Sequence, residues 1–153
     1  MLLNGVNQAS LMTRWRSPKG TRSAVNHFNP SRIMIVGEDS HFCYLLRSYI
    51  RRSAHQTIIS HPGDGILELA QREQPAAIIL DVDLPGMGGW NLLRALKTHP
   101  GTREIPVMIC SWLDEKERGT QEGANVCVRM PILYGDFVEA LNSVGVAVHL
   151  ENI

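Results

Sequence analysis

Pro75-Ala76-Ala77-Ile78-Ile79-Leu80-Asp81-Val82-Asp83-Leu84-Pro85-Gly86-Met87-Gly88-Gly89-Trp90 is the stretch that decides the fold. From Ala76 to Leu80 both alternating sides of an extended chain are apolar, the pattern of a central parallel strand covered by helices on its two faces. Pro75 restarts the chain before this run, and Asp81 closes it. The segment from Asp83 to Gly89 is a loop by composition, and Trp90, Leu92, Leu93 and Leu96 supply the apolar face of a following helix. A Pro100-Gly101 turn ends that helix.

The same alternation extends in both directions. Upstream, Ile33-Met34-Ile35-Val36 is a β-rich run ending at Gly37, and Phe42, Leu45, Leu46, Tyr49 and Ile50 then fall at helical spacing. Thr57-Ile58-Ile59-Ser60 is a second short strand, followed by the turn from His61 to Gly65 and a helix carrying Ile66, Leu67, Leu69 and Ala70. Downstream, Val107-Met108-Ile109-Cys110 is a fourth strand, Asp114 to Gln121 a polar helix, and Val126-Cys127-Val128 a fifth strand before Pro131. Phe137, Val138, Leu141 and Val144 give the last helix. Five β-α units with right-handed crossovers predict a doubly wound α/β fold with a five-stranded parallel sheet of order 2-1-3-4-5. Chemistry then gathers at the carboxyl ends of the strands, which hold Gly37, Glu38 and Asp39, then Asp81 and Asp83, then Ser111 and Trp112, and finally Arg129 and Met130.

At 153 residues, 44% of them hydrophobic and 20% charged, the chain suits one globular domain with a core of its own. Its charge is divided unevenly: residues 1–32 hold Arg14, Arg16, Lys19, Arg22 and Arg32 without an acid, a net of +5 that the remainder balances. We therefore expect a basic extension over residues 1–31, a domain over 32–145, and at 146–153 a tail or a short extra strand. The extension is rich in polar and small residues and has no base-reading motif, so a solvated tail is expected there rather than a nucleic-acid arm. No apolar run approaches the roughly 20 residues of a membrane helix, and the start lacks an apolar signal core. A cytoplasmic protein is expected. Cys43, Cys110 and Cys127 are odd in number and widely spaced, which fits reduced thiols, and the histidines show no metal-binding spacing.

At this point the chain resembles the receiver domains of two-component response regulators over roughly residues 32–145. Ile33 to Ser40 resembles that family's first strand and acidic turn, and Pro75 to Trp90 its phosphoacceptor strand and following loop. Ile105 to Ser111 resembles the strand that ends in Ser or Thr. Gly123-Ala124-Asn125 followed by Met130-Pro131 resembles the segment that usually reads Gly-Ala-Asp before Lys-Pro. The resemblance implies that Asp81 accepts a phosphoryl group from a histidine kinase or phosphotransfer protein. Phosphoryl transfer onto a carboxylate brings anions together, so a hard Mg²⁺ ion is implied, held by Glu38, Asp81 and the backbone carbonyl of Asp83. Ser111 would donate its hydroxyl to a phosphoryl oxygen. A weak homodimer is implied by family analogy, and no enzymatic turnover of the domain's own is expected. The few residues after Val144 are too short for a DNA-binding or catalytic module, so output is expected through protein contacts.

Two positions depart from the family pattern. Gly37 stands where an acid usually opens the acidic pair, leaving Glu38 as the expected ligand and Asp39 as its substitute if the register slips by one. Met130 stands where a lysine usually pairs with the acceptor carboxylate, and a thioether carries no charge. Arg129 is adjacent, but neighbouring strand residues face opposite ways. Cys127 replaces a frequent aromatic, and Trp112 is bulky where a small residue is usual. Met130 and Gly37 are the features that favour the alternative function, a pseudo-receiver whose surface is read without phosphorylation. A third reading takes Asp81-Val82-Asp83 as the Asp-x-Asp of a haloacid-dehalogenase-like phosphatase. It is disfavoured because that motif belongs on a first strand.

Overall fold

The structure is a computed structural model that describes residues 31–84 and 88–148. The expected basic extension lies outside the described residues, apart from Ser31, as do residues 149–153. Five strands, β1 (Arg32–Val36), β2 (Gln56–Ser60), β3 (Ala77–Asp81), β4 (Val107–Ser111) and β5 (Val126–Arg129), pair in parallel in the order β2-β1-β3-β4-β5. The helices are α1 (Ser40–Ile50), α2 (Ile66–Glu73), α3 (Gly88–Thr98), α4 (Lys116–Gln121) and α5 (Tyr134–Ser143). This is the doubly wound order expected from the sequence. The polar helix begins at Lys116 rather than Asp114: Glu115 is its N-cap residue, and Asp114, before the helix, accepts the Lys116 N–H at 3.4 Å.

The two-residue period of the strands divides the core. On one face Ile33, Ile35, Ala77, Ile79, Met108 and Cys110 meet Phe42, Leu46 and Ile50 of α1 and Phe137 and Leu141 of α5. On the other, Met34, Val36, Ile78, Leu80, Val107 and Ile109 meet Ile66 and Ala70 of α2 and Leu93 and Leu96 of α3. Every residue of β3 and β4 is buried, which is why their sequence is apolar without alternation.

The ends of the elements are fixed by particular side chains. Asp39 caps α1 by accepting the His41 N–H at 2.8 Å. Gln74 closes α2 in a left-handed conformation (φ 43°), and its amide donates to the carbonyls of Gln71 and Gly101. Lys97 Nζ donates to the carbonyls of Arg103 (3.2 Å) and Ile105 (2.8 Å), tying the end of α3 to the approach to β4. Asn125 extends the pairing of β4 and β5, its N–H donating to Val107 O and its Oδ1 accepting from Val107 N. Residues 146–148 are not a strand. Val146 and Val148 are buried against the α1–α5 core, and Asn142 Oδ1 accepts the Val148 N–H at 2.9 Å. At the amino end of the sheet His55 bonds both Ser31 Oγ and, at 2.8 Å, the carbonyl of Ala147.

Candidate functional site

Asp81 is the last residue of β3 and is buried, with 9% of its surface exposed. Its backbone is held from behind by α3: a Cβ built on Gly89 would lie 2.3 Å from Val82 Cα and 2.8 Å from Asp81 O, so the helix start docks directly on the chain that carries the carboxylate. Asp81 Oδ1 accepts the Asp83 N–H at 2.9 Å, a tight turn closed by the acid itself. Burial pushes the Asp81 pKa up, and the carboxylates of Asp83 and Asp39 push the same way, while the Asp83 N–H bond opposes them. Among the described residues no Lys, Arg or His lies within ion-pair distance of Asp81.

The carboxylate opens into a cavity of about 170 Å³ whose other walls include Asp39, Phe42, Leu45, Trp112 and Met130. Asp39, not Glu38, lines this space with Asp81. Glu38 is exposed, and the capping role of Asp39 is what turns the second acid of the pair toward the mouth. The Asp39 pKa is lowered chiefly by the His41 N–H it accepts. Met130 lines the cavity where a cation was missing from the sequence pattern. Arg129 lines the groove on the other side of β5, so the alternation of the strand keeps it away from Asp81.

Ser111 ends β4 beside β3 and is 2% exposed. Its hydroxyl is directed to Asp83, donating across 2.9 Å to Oδ1 and 3.1 Å to Oδ2, and it accepts the Leu113 N–H at 3.0 Å. The Trp112 N–H also donates to Asp83 Oδ2, at 2.8 Å. The structure thus brings Asp81, Asp83, Ser111, Asp39 and Met130 to one end of the sheet. Sequence reasoning missed the engagement of the Asp83 side chain, because it assigned that residue only a backbone role.

A hard cation fits the donor chemistry, which is two carboxylates on the cavity wall and carbonyl oxygens in the adjoining turn. Among the described residues no three His, Cys, Asp or Glu side chains gather as a metal-holding set.

The sequence profile described as the response regulator receiver domain matches residues 33–142, nearly the whole of the sheet and its helices. The chain belongs to the response regulator receiver domain family. Over 105 residues it is 32% identical to the response regulator PleD of Caulobacter vibrioides, covering 67% of this chain and 23% of PleD. It spans about a quarter of that relative's length. It is 30% identical to the polar-differentiation response regulator DivK of Brucella anthropi over 74% of this chain and 95% of DivK. Among solved structures, the receiver domain of the sensor histidine kinase PA1611 of Pseudomonas aeruginosa is similar in fold, with a TM-score of 0.66 at 18% identity over 76% of this chain and 98% of that one. That structure has a magnesium ion coordinated in its active site cleft. This is therefore a receiver domain of the two-component signalling type. Among the described residues no helix is long and apolar enough to cross a membrane.

Proposed function

We propose that this receiver domain accepts a phosphoryl group on Asp81 from the phosphohistidine of a histidine kinase or phosphotransfer protein and transmits the modification through protein contacts, without turnover of its own. The observation that carries the reading is the Asp81 carboxylate itself: buried at the end of the central strand, short of a cation, and open to a cavity on one side. One carboxylate oxygen attacks phosphorus as the phosphorus–nitrogen bond of the donor breaks, and the histidine leaves as a neutral imidazole after taking a proton. The Asp83 N–H at Oδ1 orients the nucleophile, and the apolar wall of Phe42, Leu45 and Met130 limits water. When bound, Mg²⁺ would neutralise the charge that accumulates between acceptor and donor, held by Asp81, Asp39 and the Asp83 carbonyl.

The output face we propose is the groove of about 470 Å³ between β5 and α5, where Val126, Val128 and Ala140 are flanked by Arg129, Asp136 and Glu139. Three unpaired cysteines suit a reducing, cytoplasmic compartment. The test is incubation with acetyl phosphate and Mg²⁺ followed by intact mass. A gain of one phosphoryl group is expected for the wild type and its loss for Asp81→Asn. A wild type that stays unmodified at saturating acetyl phosphate would rule the reading out.

A further inference from the structure

The acid beside Asp81 holds the donors that an incoming anion would need. Asp83 receives the Ser111 hydroxyl at 2.9 Å on Oδ1 and the Trp112 N–H at 2.8 Å on Oδ2. The Ser111 oxygen is itself pinned by the Leu113 N–H at 3.0 Å, so its single proton is committed to Asp83. A hydroxyl and a main-chain N–H converging on one pair of oxygens form an anion-receiving arrangement. The same pair stands beside Asp81, because the Asp83 N–H bonds the Asp81 carboxylate at 2.9 Å.

We propose that the Asp83 carboxylate is a built-in occupant of the anion-receiving pair made by Ser111 and Trp112, which a phosphoryl group on Asp81 must displace before those donors can hold it. The displacement half of this statement rests on the phosphoacceptor reading above; the occupancy half does not. Each donor has one proton to give, so Asp83 and a phosphoryl oxygen are not served together. Two negative groups competing for one pair also repel each other. Asp83 therefore acts as a positioning residue with two effects. It holds the end of β4 in the unmodified protein as an anion would, and it sets a threshold against which modification of Asp81 has to work.

The experiment is a titration of the full chain with beryllofluoride in the presence of Mg²⁺, followed at the Trp112 amide in nitrogen-15 correlated NMR spectra. The proteins compared are the wild type, Asp83→Asn, Asp83→Ala and Asp83→Ala with Ser111→Ala. Losing a competitor held by charge-assisted bonds is expected to tighten binding by about tenfold or more in Asp83→Ala. Most of that gain is expected to vanish when Ser111 is also removed, and Asp83→Asn, which still accepts both bonds but is neutral, should lie between. Before any anion is added, Asp83→Ala should move the Trp112 amide resonance upfield and Asp83→Asn should move it less, a signature that mere loss of stability does not produce. Equal affinity in wild type and Asp83→Ala overturns the inference and leaves the phosphoacceptor reading intact. If none of the proteins binds, that reading falls, and the Trp112 amide decides alone: unmoved by Asp83→Ala, it overturns the occupancy, and displaced, it supports it. Should the alanine variant not fold, Asp83→Asn must bind more tightly than the wild type for the inference to stand.

Discussion

Met130 makes its backbone bond to the Ser111 carbonyl at 2.8 Å and lends its side chain to the cavity over Asp81. A cation in that position would face two carboxylates with no ion pair of their own to a described lysine or arginine. Met130→Lys is expected to speed labelling of Asp81 by acetyl phosphate by roughly one to two decades, the rate equivalent of a charge-assisted contact worth about 1.5–3 kcal/mol. Timed intact-mass measurements check this, with Met130→Leu expected to leave the rate where it is. Asp81 itself leaves a mark on stability. Its pKa is raised in the folded protein, chiefly by burial, so folding favours the protonated carboxyl; that contribution is complete below the ordinary carboxylate value of 3.8 and is lost as pH rises through the raised folded value. Asp81→Asn, which does not ionise, should therefore melt at a higher temperature than the wild type at pH 7. The difference should shrink toward pH 3, and a gap that stays constant across this range would contradict the assignment.

At the scale of elements, α3 positions Asp81 because Gly89 lets the helix touch the 81–82 backbone. Gly89→Ala places a methyl group 2.3 Å from Val82 Cα, so something must move, and overpacking of this kind costs about 1–3 kcal/mol. Urea unfolding should show that loss. Acetyl phosphate labelling should fall with it, because the displaced backbone is the one that bears Asp81. The strands and helix faces were legible in the sequence because burial on both sides leaves few patterns: β3 and β4 read as solid apolar runs, and α1 and α3 as stripes. Pairings between side chains are a different matter. Asp83 and Ser111 are 28 residues apart, and no local period says that one will turn toward the other. The choice between Glu38 and Asp39 was closer to legible. Asp is a preferred helix cap, and α1 begins at the next residue, so the capping signal pointed to Asp39 as the acid fixed in place.

For the molecule as a whole, one sheet separates two cores that share β1, β3 and β4, so neither can loosen without exposing the other. Phe137 is fully buried in the core against α1, and Phe137→Ala is expected to cost about 3–5 kcal/mol. Trp90 packs against the opposite core. Its fluorescence should therefore report the same shifted midpoint as far-ultraviolet circular dichroism, and two separate transitions would mean that the faces unfold independently.

His55 draws Ser31 and Ala147 to the same spot at the amino end of the sheet, while Asp81, Ser111 and the acidic mouth lie at the carboxyl end. The polypeptide thus enters and leaves this fold side by side, at the pole away from the chemistry. A short peptide joining the two would span little distance, which makes circular permutation feasible, with new termini opened in an exposed loop such as the one around Gly63. A fusion partner joined at Ser31 or Ala147 would be attached at the amino end of the sheet, opposite the end that carries Asp81 and Ser111.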